Sequence, residues 1–354
     1  MDITVLIARY LGEKRPQYIG QVIGGSIVVF ALISAVLFVV LVGFARPISV
    51  LMQAPEEALG LTSGYVRICG AGIFFIVAYN LLAAIFRGLG DSQSPLLFVL
   101  VACIVNVFGD LFLVAGLHLD AAGAAIATLA AQAASVVCAV IMLLKKHLPF
   151  KLCKADFRLN PQCRKFLSIG LPLALQEFLT QLSFLALCAF VNRLGLEASS
   201  GYGVACNIVN FAMLIPSALM QSMAAFVSQN IGAGSKKRAR QSMFTGIGIG
   251  LAFGCAVFAN AFAYLKGFAP ETIATAVLFS MVGYFNGNNK TVWVMVQGLV
   301  QTLLVRLPMA YFMSIQPNAS LTMIGLAAPT STAVGIVLNI CFYFYFERTS
   351  RSDS

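Results

Sequence analysis

Ser228-Gln229-Asn230-Ile231-Gly232, followed by Gln241, repeats a block near the start of the chain, Ala8-Arg9-Tyr10-Leu11-Gly12, followed by Gln21. The ungapped offset between the two is 220 residues. Working outward, Ala54-Pro55-Glu56 recurs as Ala269-Pro270-Glu271, and Ile85-Phe86-Arg87-Gly88 as Tyr284-Phe285-Asn286-Gly287. Gly123-Ala124-Ala125-Ile126-Ala127-Thr128 recurs as Gly325-Leu326-Ala327-Ala328-Pro329-Thr330. Each correspondence is short, but all four keep one order. Apolar chains with two similar halves are the organisation of secondary transporters, whose halves rock about a central site.

Hydrophobic residues make up 60% of the chain and charged residues 10%, with a mean hydropathy of +0.90. A soluble domain carries roughly 25% charged residues, so these values imply an all-α polytopic membrane protein. Lipid offers the backbone no hydrogen-bond partner, which leaves helices as the spanning element. Most of the nine cysteines (Cys69, Cys103, Cys138, Cys188, Cys206, Cys255 and Cys341 among them) lie inside apolar runs, with no CxxC, and read as small reduced packing residues. Two histidines give no basis for a histidine metal site, and residues 1–18 are too polar for a secretory leader.

Ten apolar segments are predicted to cross: 19–44, 64–86, 95–117, 121–144, 166–190, 201–227, 241–265, 272–287, 291–314 and 320–346. With the amino terminus inside and every segment crossing, 18 of the 23 basic residues fall on the cytoplasmic side. Arg46, Arg67, Arg193 and Lys266 fall outside, and Arg306 stays within a span. This positive-inside bias explains the net charge of +10 by topology, and no nucleic-acid role is expected. The expected organisation is an incomplete amino-terminal lobe of about four helices (1–144), a cytoplasmic linker (145–165), a carboxy-terminal lobe of about six helices (166–347) and a cytoplasmic tail (348–354). Part of the linker is expected to lie on the anionic leaflet.

The repeat also exposes two gaps. The offset of 220 carries residue 166 to a point about 54 residues ahead of Met1, so nearly two further helices are expected before the first lobe. Pro55 to Gly88 is 33 residues but Pro270 to Gly287 is 17, which makes 272–287 a strained, shortened crossing of about 25 Å against a core of about 30 Å.

These blocks resemble the multidrug and toxic compound extrusion (MATE) family. Ile7-Ala8-Arg9-Tyr10-Leu11-Gly12 is similar to the stretch before that family's third helix, where Gln usually stands for Arg9. Phe86-Arg87-Gly88-Leu89-Gly90-Asp91-Ser92 with Pro95 is similar to its R-G-x-G-D-x-x-x-P loop. Asn106, Asp110, Gly170-Leu171-Pro172, Gln229-Asn230-Ile231-Gly232-Ala233, Val305-Arg306-Leu307-Pro308 and Gly325-Leu326-Ala327-Ala328-Pro329 extend the likeness over essentially the whole chain. The resemblance implies twelve helices in two lobes, both termini cytoplasmic, in a bacterial inner membrane. It further implies antiport of protons or sodium ions against amphipathic, often cationic, compounds, with coupling carboxylates on the first helix or on the seventh and tenth. By that likeness the first helix, most of the second and part of the tenth are missing.

Acids within lipid spans are costly and usually functional. Glu177, with Gln176, Thr180 and Gln181 close by, is one cation-coupling candidate, because a carboxyl in a medium of low dielectric constant exchanges protons near neutral pH and Gln181 shares its helix face at i+4. A sodium ion near Glu177 is the one metal reading left open. Asp110 with Asn106 is the other candidate, with interhelical polar glue as its alternative. Asn207, Asn210 and Tyr284 are cavity-lining candidates beside Asn106, Gln176 and Gln181, and Arg306, Gly88 and Gly232 are read as structural. The glycine-rich turns carry no G-x-x-x-x-G-K-[ST] pattern, so neither ATP hydrolysis nor another enzymatic activity is expected. The expected partners are lipid, a drug-like small molecule and the coupling ion, with no cofactor and a monomeric state. Two alternatives stand beside the exporter: a flippase for lipid-linked sugars, and a remnant that inserts but does not pump.

Overall fold

A computed structural model of the chain describes residues 2–51, 56, 59–146, 150, 152–192, 206, 210–261, 269–316 and 320–352. Among these residues all regular structure is helical. The chain divides into two compact units, Leu6–Phe166 and Leu167–Ser354 with Met1–Val5. Among the described residues seven helices are long and apolar enough to cross a membrane, and a bent pair makes an eighth candidate, so the protein is an all-α polytopic membrane protein. Leu32, Val36, Leu185 and Leu304 stand exposed on helix exteriors, as expected of surfaces whose solvent is hydrocarbon.

The first unit takes up α1 (Asp2–Gly12) from Leu6 onward, followed by α2 (Pro16–Gly43), α3 (Ala45–Leu51), α4 (Leu59–Ala71), α5 (Ile73–Gly88), α6 (Gln93–Asp110) and α7 (Asp120–Lys145). The sequence predicted no helix before residue 19. The structure shows one in α1, with Ile3, Val5, Leu6, Ile7 and Ala8 buried. The segment expected over 64–86 is two helices, α4 and α5, bent by 50° at Gly72. Past Asp110, α6 runs on as a π-helix to Gly116. The residues after α7 include a 3₁₀ turn at Lys154–Asp156, and Asn160 Nδ2 donates to Gln21 O of α2 at 2.8 Å, which ties that segment to the first unit.

The second unit holds most of α8 (Pro161–Asn192), then α9 (Leu214–Gly232), α10 (Lys236–Ala261), α11 (Ala269–Gly287), α12 (Thr291–Leu299), a π-helix over Val300–Arg306, α13 (Leu307–Ser314), α14 (Leu321–Gly325) and α15 (Ala327–Ser352). The last expected segment, 320–346, is therefore broken between α14 and α15. Val227, Ala239, Met243, Val282, Phe285 and Val294 form the core around α11. Pro308 contributes to the π geometry: it brings no N–H to the ladder, and Leu307 N–H reaches back five residues to Thr302 O.

Four turns are built alike. After Gly12, Gly88, Gly232 and Gly287 end their helices, the residue two positions on has a left-handed backbone: Lys14 (φ 55°), Gly90 (80°), Gly234 (75°) and Asn289 (59°). In each, one N–H returns three residues and the next N–H returns five: Lys14 to Leu11 and Arg15 to Tyr10, Gly90 to Arg87 and Asp91 to Phe86, Gly234 to Ile231 and Ser235 to Asn230, Asn289 to Asn286 and Lys290 to Phe285. This is the Schellman closure, which satisfies the last carbonyls of a helix and reverses the chain. Gly90 and Gly234 adopt the left-handed region without the penalty that a Cβ brings. Gly88 and Gly232, read as structural from the sequence, are the last helical residues of two of these turns.

Candidate functional site

In the first unit α6 turns Asn106 and Asp110 toward α7. They lie one helical turn apart, and Asn106 Nδ2 donates to Thr128 Oγ1 at 3.5 Å. Asp110 Oδ1 is buried with no hydrogen-bond partner among the described residues, directly where the helix widens into its π stretch. Such π segments recur at functional positions. A buried acceptor that lacks a donor is poised to take a proton, a water or a cation.

In the second unit Pro172 lies inside α8, a turn before Glu177. Glu177 and Gln181 are both exposed on the surface of this unit, on one helix face. Gln176 is turned away from them. It lies against Gly298 of α12, where an added Cβ would stand 2.7 Å from Gln176 Cγ. Thr180 Oγ1 donates to Gln176 O at 2.9 Å. The pattern of i and i+4 thus joins Glu177 with Gln181 and sends Gln176 into the interior.

That interior is polar. Gln297, Gln301, Thr302, Arg306, Ser331, Thr332 and Asn339 are all buried. Gln297 Nε2 donates to Gln301 Oε1, and Trp293 Nε1 donates to Asn339 Oδ1 at 3.1 Å. Gln297 Oε1 and Asn339 Nδ2 are left without partners among the described residues. Arg306 closes the π-helix of this unit; its Nε donates to Ser331 Oγ at 3.2 Å, and its guanidinium lies 5.2 Å from the centre of the Phe184 ring. Glu271, in the first turn of α11, is 5% exposed and lies within electrostatic reach of Arg306. Its Oε2 has no hydrogen-bond partner among the described residues. The buried acid Glu271 was not among the sequence-predicted candidates; its recurrence in the Ala-Pro-Glu block was the signal available.

Tyr284, expected on a cavity, is instead core: it is 4% exposed, 5.6 Å from Phe285 and 6.1 Å from Tyr343 between ring centres. Asn210 is exposed near the start of the α9 region. Asn207 lies outside the described residues. Among the described residues no three His, Cys, Asp or Glu side chains cluster as metal ligands do.

One polar group stands in a helix-connecting turn. Asp91, just past the Gly90 turn, accepts backbone N–H groups of Gln93 and Ser94, each at 3.0 Å, and so caps α6. It also accepts from Ser94 Oγ and from Lys146 Nζ at the end of α7. Burial alone would raise its pKa, but the bonds from Lys146 and Ser94 outweigh it and hold the carboxyl at about 2.

The profile of the MatE family matches residues 3–112 and 172–266 of the chain. A probable multidrug resistance protein of Bacillus subtilis, YoeA, is 27% identical over 252 residues, which cover 69% of this chain and 54% of that protein. The multidrug export protein MepA of Staphylococcus aureus is 26% identical over 251 residues, covering 69% of this chain and 54% of its own. A protein described as an FAD transporter, from Shewanella oneidensis, is 26% identical over 215 residues, covering 59% of this chain and 48% of its own. The chain thus spans about half the length of the curated relatives it matches. Among solved structures, the outward-facing form of a multidrug resistance MATE family transporter of the MOP superfamily superimposes with a TM-score of 0.89 at 18% identity, over 99% of this chain and 83% of that one. A MOP superfamily transporter from Pyrococcus furiosus gives 0.89 at 18% identity, over 100% and 84%. At such identity the likeness concerns the fold.

Proposed function

Since the chain belongs to the MatE (multidrug and toxic compound extrusion) family, we propose that it is a secondary active exporter, antiporting protons or sodium ions against amphipathic, cationic drugs or metabolites by alternating access. The observation that carries this reading is the match of one family profile to both halves of a chain whose spans surround unpartnered polar groups. Glu177 is the cation-coupling group of the proposal, with Gln181 beside it on the same exposed face. Asp110, with its buried free oxygen, is the second. Coupling needs each ligand to favour a different conformation, since only a difference in affinity shifts an equilibrium. The asymmetry of basic residues supports placing both termini on the cytoplasmic side of a bacterial inner membrane.

The test is accumulation of a fluorescent organic cation in cells stripped of their own exporters. Cells making the chain should hold less dye than empty cells, and collapsing the proton or sodium gradient should remove the difference. Glu177→Gln should do the same while leaving the protein in the membrane at wild-type level. Dye content equal to that of empty cells, with the wild-type protein present in the membrane, would sink export. It would instead favour the second reading, a chain that inserts without pumping, for which the specific observation is that α11 is a single helix of 19 residues where the first unit has two helices.

A further inference from the structure

A groove runs along the outside of the second unit between α10 and α15, with α11 as its floor. Its volume is about 570 Å³. Val277 and Met281 line the floor, and Ile247 and Ile340 belong to the two walls. Phe244 (54% exposed) and Phe344 (62%) stand along its rims. On α10 the lining recurs at Arg240, Met243 and Phe244, then Ile247; on α15 it recurs at Ile340, Tyr343 and Phe344, then Glu347 and Arg348. The lining runs from Arg240 to Ile247 on one wall and from Ile340 to Arg348 on the other, a length of about 10–12 Å at 1.5 Å per residue. One end is therefore wholly apolar and the other carries Arg240, Glu347 and Arg348.

The charges at that end are unequal. Arg240 Nη1 lies 3.7 Å from Glu347 Oε2 across the mouth, which uses the one acid of the lining. Arg348 is exposed and, among the described residues, pairs with no acid. Lys236, Lys237 and Arg238 precede Arg240 in the first turn of α10. Lys290, at the turn that ends α11, lies 4.8 Å from the Phe346 ring centre. A narrow apolar channel that opens on a surplus of guanidinium and ammonium groups is complementary to a molecule with a long hydrocarbon chain and an anionic head. Arginine forks suit phosphate oxygens in particular.

We propose that this groove is a binding site for an anionic glycerophospholipid of the bilayer, with one acyl chain along Val277 and Met281 and the phosphate held by Arg348 and Arg240. Lipid seated there fills the channel that the three helices leave open and draws the ends of α10 and α15 together through its headgroup. The occupant stabilises the second unit in a membrane rich in anionic lipid.

The experiment uses the full chain purified in detergent and titrated with dioleoyl phosphatidylglycerol, phosphatidylethanolamine or phosphatidylcholine, with bound lipid counted by native mass spectrometry. The expected result is at least fivefold tighter binding of one phosphatidylglycerol than of either zwitterionic lipid, and no displacement by millimolar inorganic phosphate. Arg240→Gln with Arg348→Gln should abolish the preference. Val277→Phe, which fills the floor and keeps both arginines, should weaken phosphatidylglycerol binding at least fivefold with an unchanged elution profile. Equal binding of the three lipids, a preference retained in the double arginine variant, or displacement by free phosphate would each overturn the proposal.

Discussion

Counted back from the two matching turns, Gly72 and Glu271 occupy the same place: each lies 16 residues before the glycine that ends its helix, Gly88 or Gly287. In the first unit the chain reaches Gly72 from α4 and turns by 50° into α5. In the second unit α11 simply begins there, at Ala269, with Glu271 buried in its first turn. Among the described residues α11 therefore corresponds to α5, and Pro270 to Gly287 is 16 residues shorter than Pro55 to Gly88. The difference has a physical consequence. A helix that starts within the protein presents N–H groups without partners and a positive dipole end. Glu271 is the acidic residue of that first turn, and Arg306 lies within its electrostatic reach. The shorter helix is also held more closely. A Cβ at Gly283 would stand 2.7 Å from Met220 O, and one at Gly287 2.7 Å from Val227 Cβ, so α11 lies against α9 through a small-xxx-small face of the type that brings helices close in membranes. The first unit has Ala84 at the place of Gly283.

The comparison can be broken most severely at the buried charges. Arg306→Met should remove the hydrogen bond to Ser331 and the cation within electrostatic reach of the buried Glu271, and cost about 1–3 kcal/mol, read as a lowered unfolding midpoint in detergent. Glu271→Leu added to it should recover part of that loss. If the single variant is as stable as wild type, the two groups do not act together. The close approach is the next target. Gly283→Ala should cost about 1–3 kcal/mol by overpacking, because the atom it meets is backbone and cannot rotate away. Ala84→Gly in the first unit should cost about 1 kcal/mol, for helix propensity only. Equal losses at the two positions would remove the claim that the second unit compensates through contact.

Asp91 separates the units by pH. Its carboxyl is ionised in the folded protein down to a pH of about 2, against an ordinary value of 3.8. The stabilisation it gives is complete above pH 3.8 and is lost as the pH falls toward 2. Lys146→Met should move the acid unfolding of the first unit to higher pH, while the turn at Gly234, followed by Ser235, gives the second unit no such dependence. The smallest effects belong to the turns themselves. Gly90→Ala should cost about 1 kcal/mol, and Lys14→Gly should gain about as much, since Lys14 holds a left-handed backbone with a Cβ. Thermal midpoints of the two variants should move in opposite directions.

Two of the four turns, those at Gly88-Leu89-Gly90 and Gly232-Ala233-Gly234, were legible because Gly-x-Gly after an apolar run is a local signal. The membrane class followed from composition in the same way. The bend at Gly72 was not legible, since one glycine in an apolar run also suits a straight helix. The π segments were equally hidden. One residue more per turn leaves composition unchanged, and only Pro308 hinted at the second of them. Gln176 shows the limit most clearly. Helical periodicity places it about 100° from Glu177, but not which of the two faces the interior. Gly298 on another helix decides that. Tyr284 was misplaced for a related reason, because an aromatic in a span packs or lines a cavity with the same neighbours in sequence.

The four crossed closures have a bearing on motion. Each fixes two consecutive amides onto carbonyls behind them, so these corners cannot lengthen or unwind without breaking both bonds. Flexure has to be absorbed part-way along the rods instead: at the Gly72 elbow, at Pro172, and in the two widened stretches that begin at Leu111 and Val300. Spin labels flanking those four places should report changing distances if the proposed export cycle takes place, while pairs set across the corners should keep theirs.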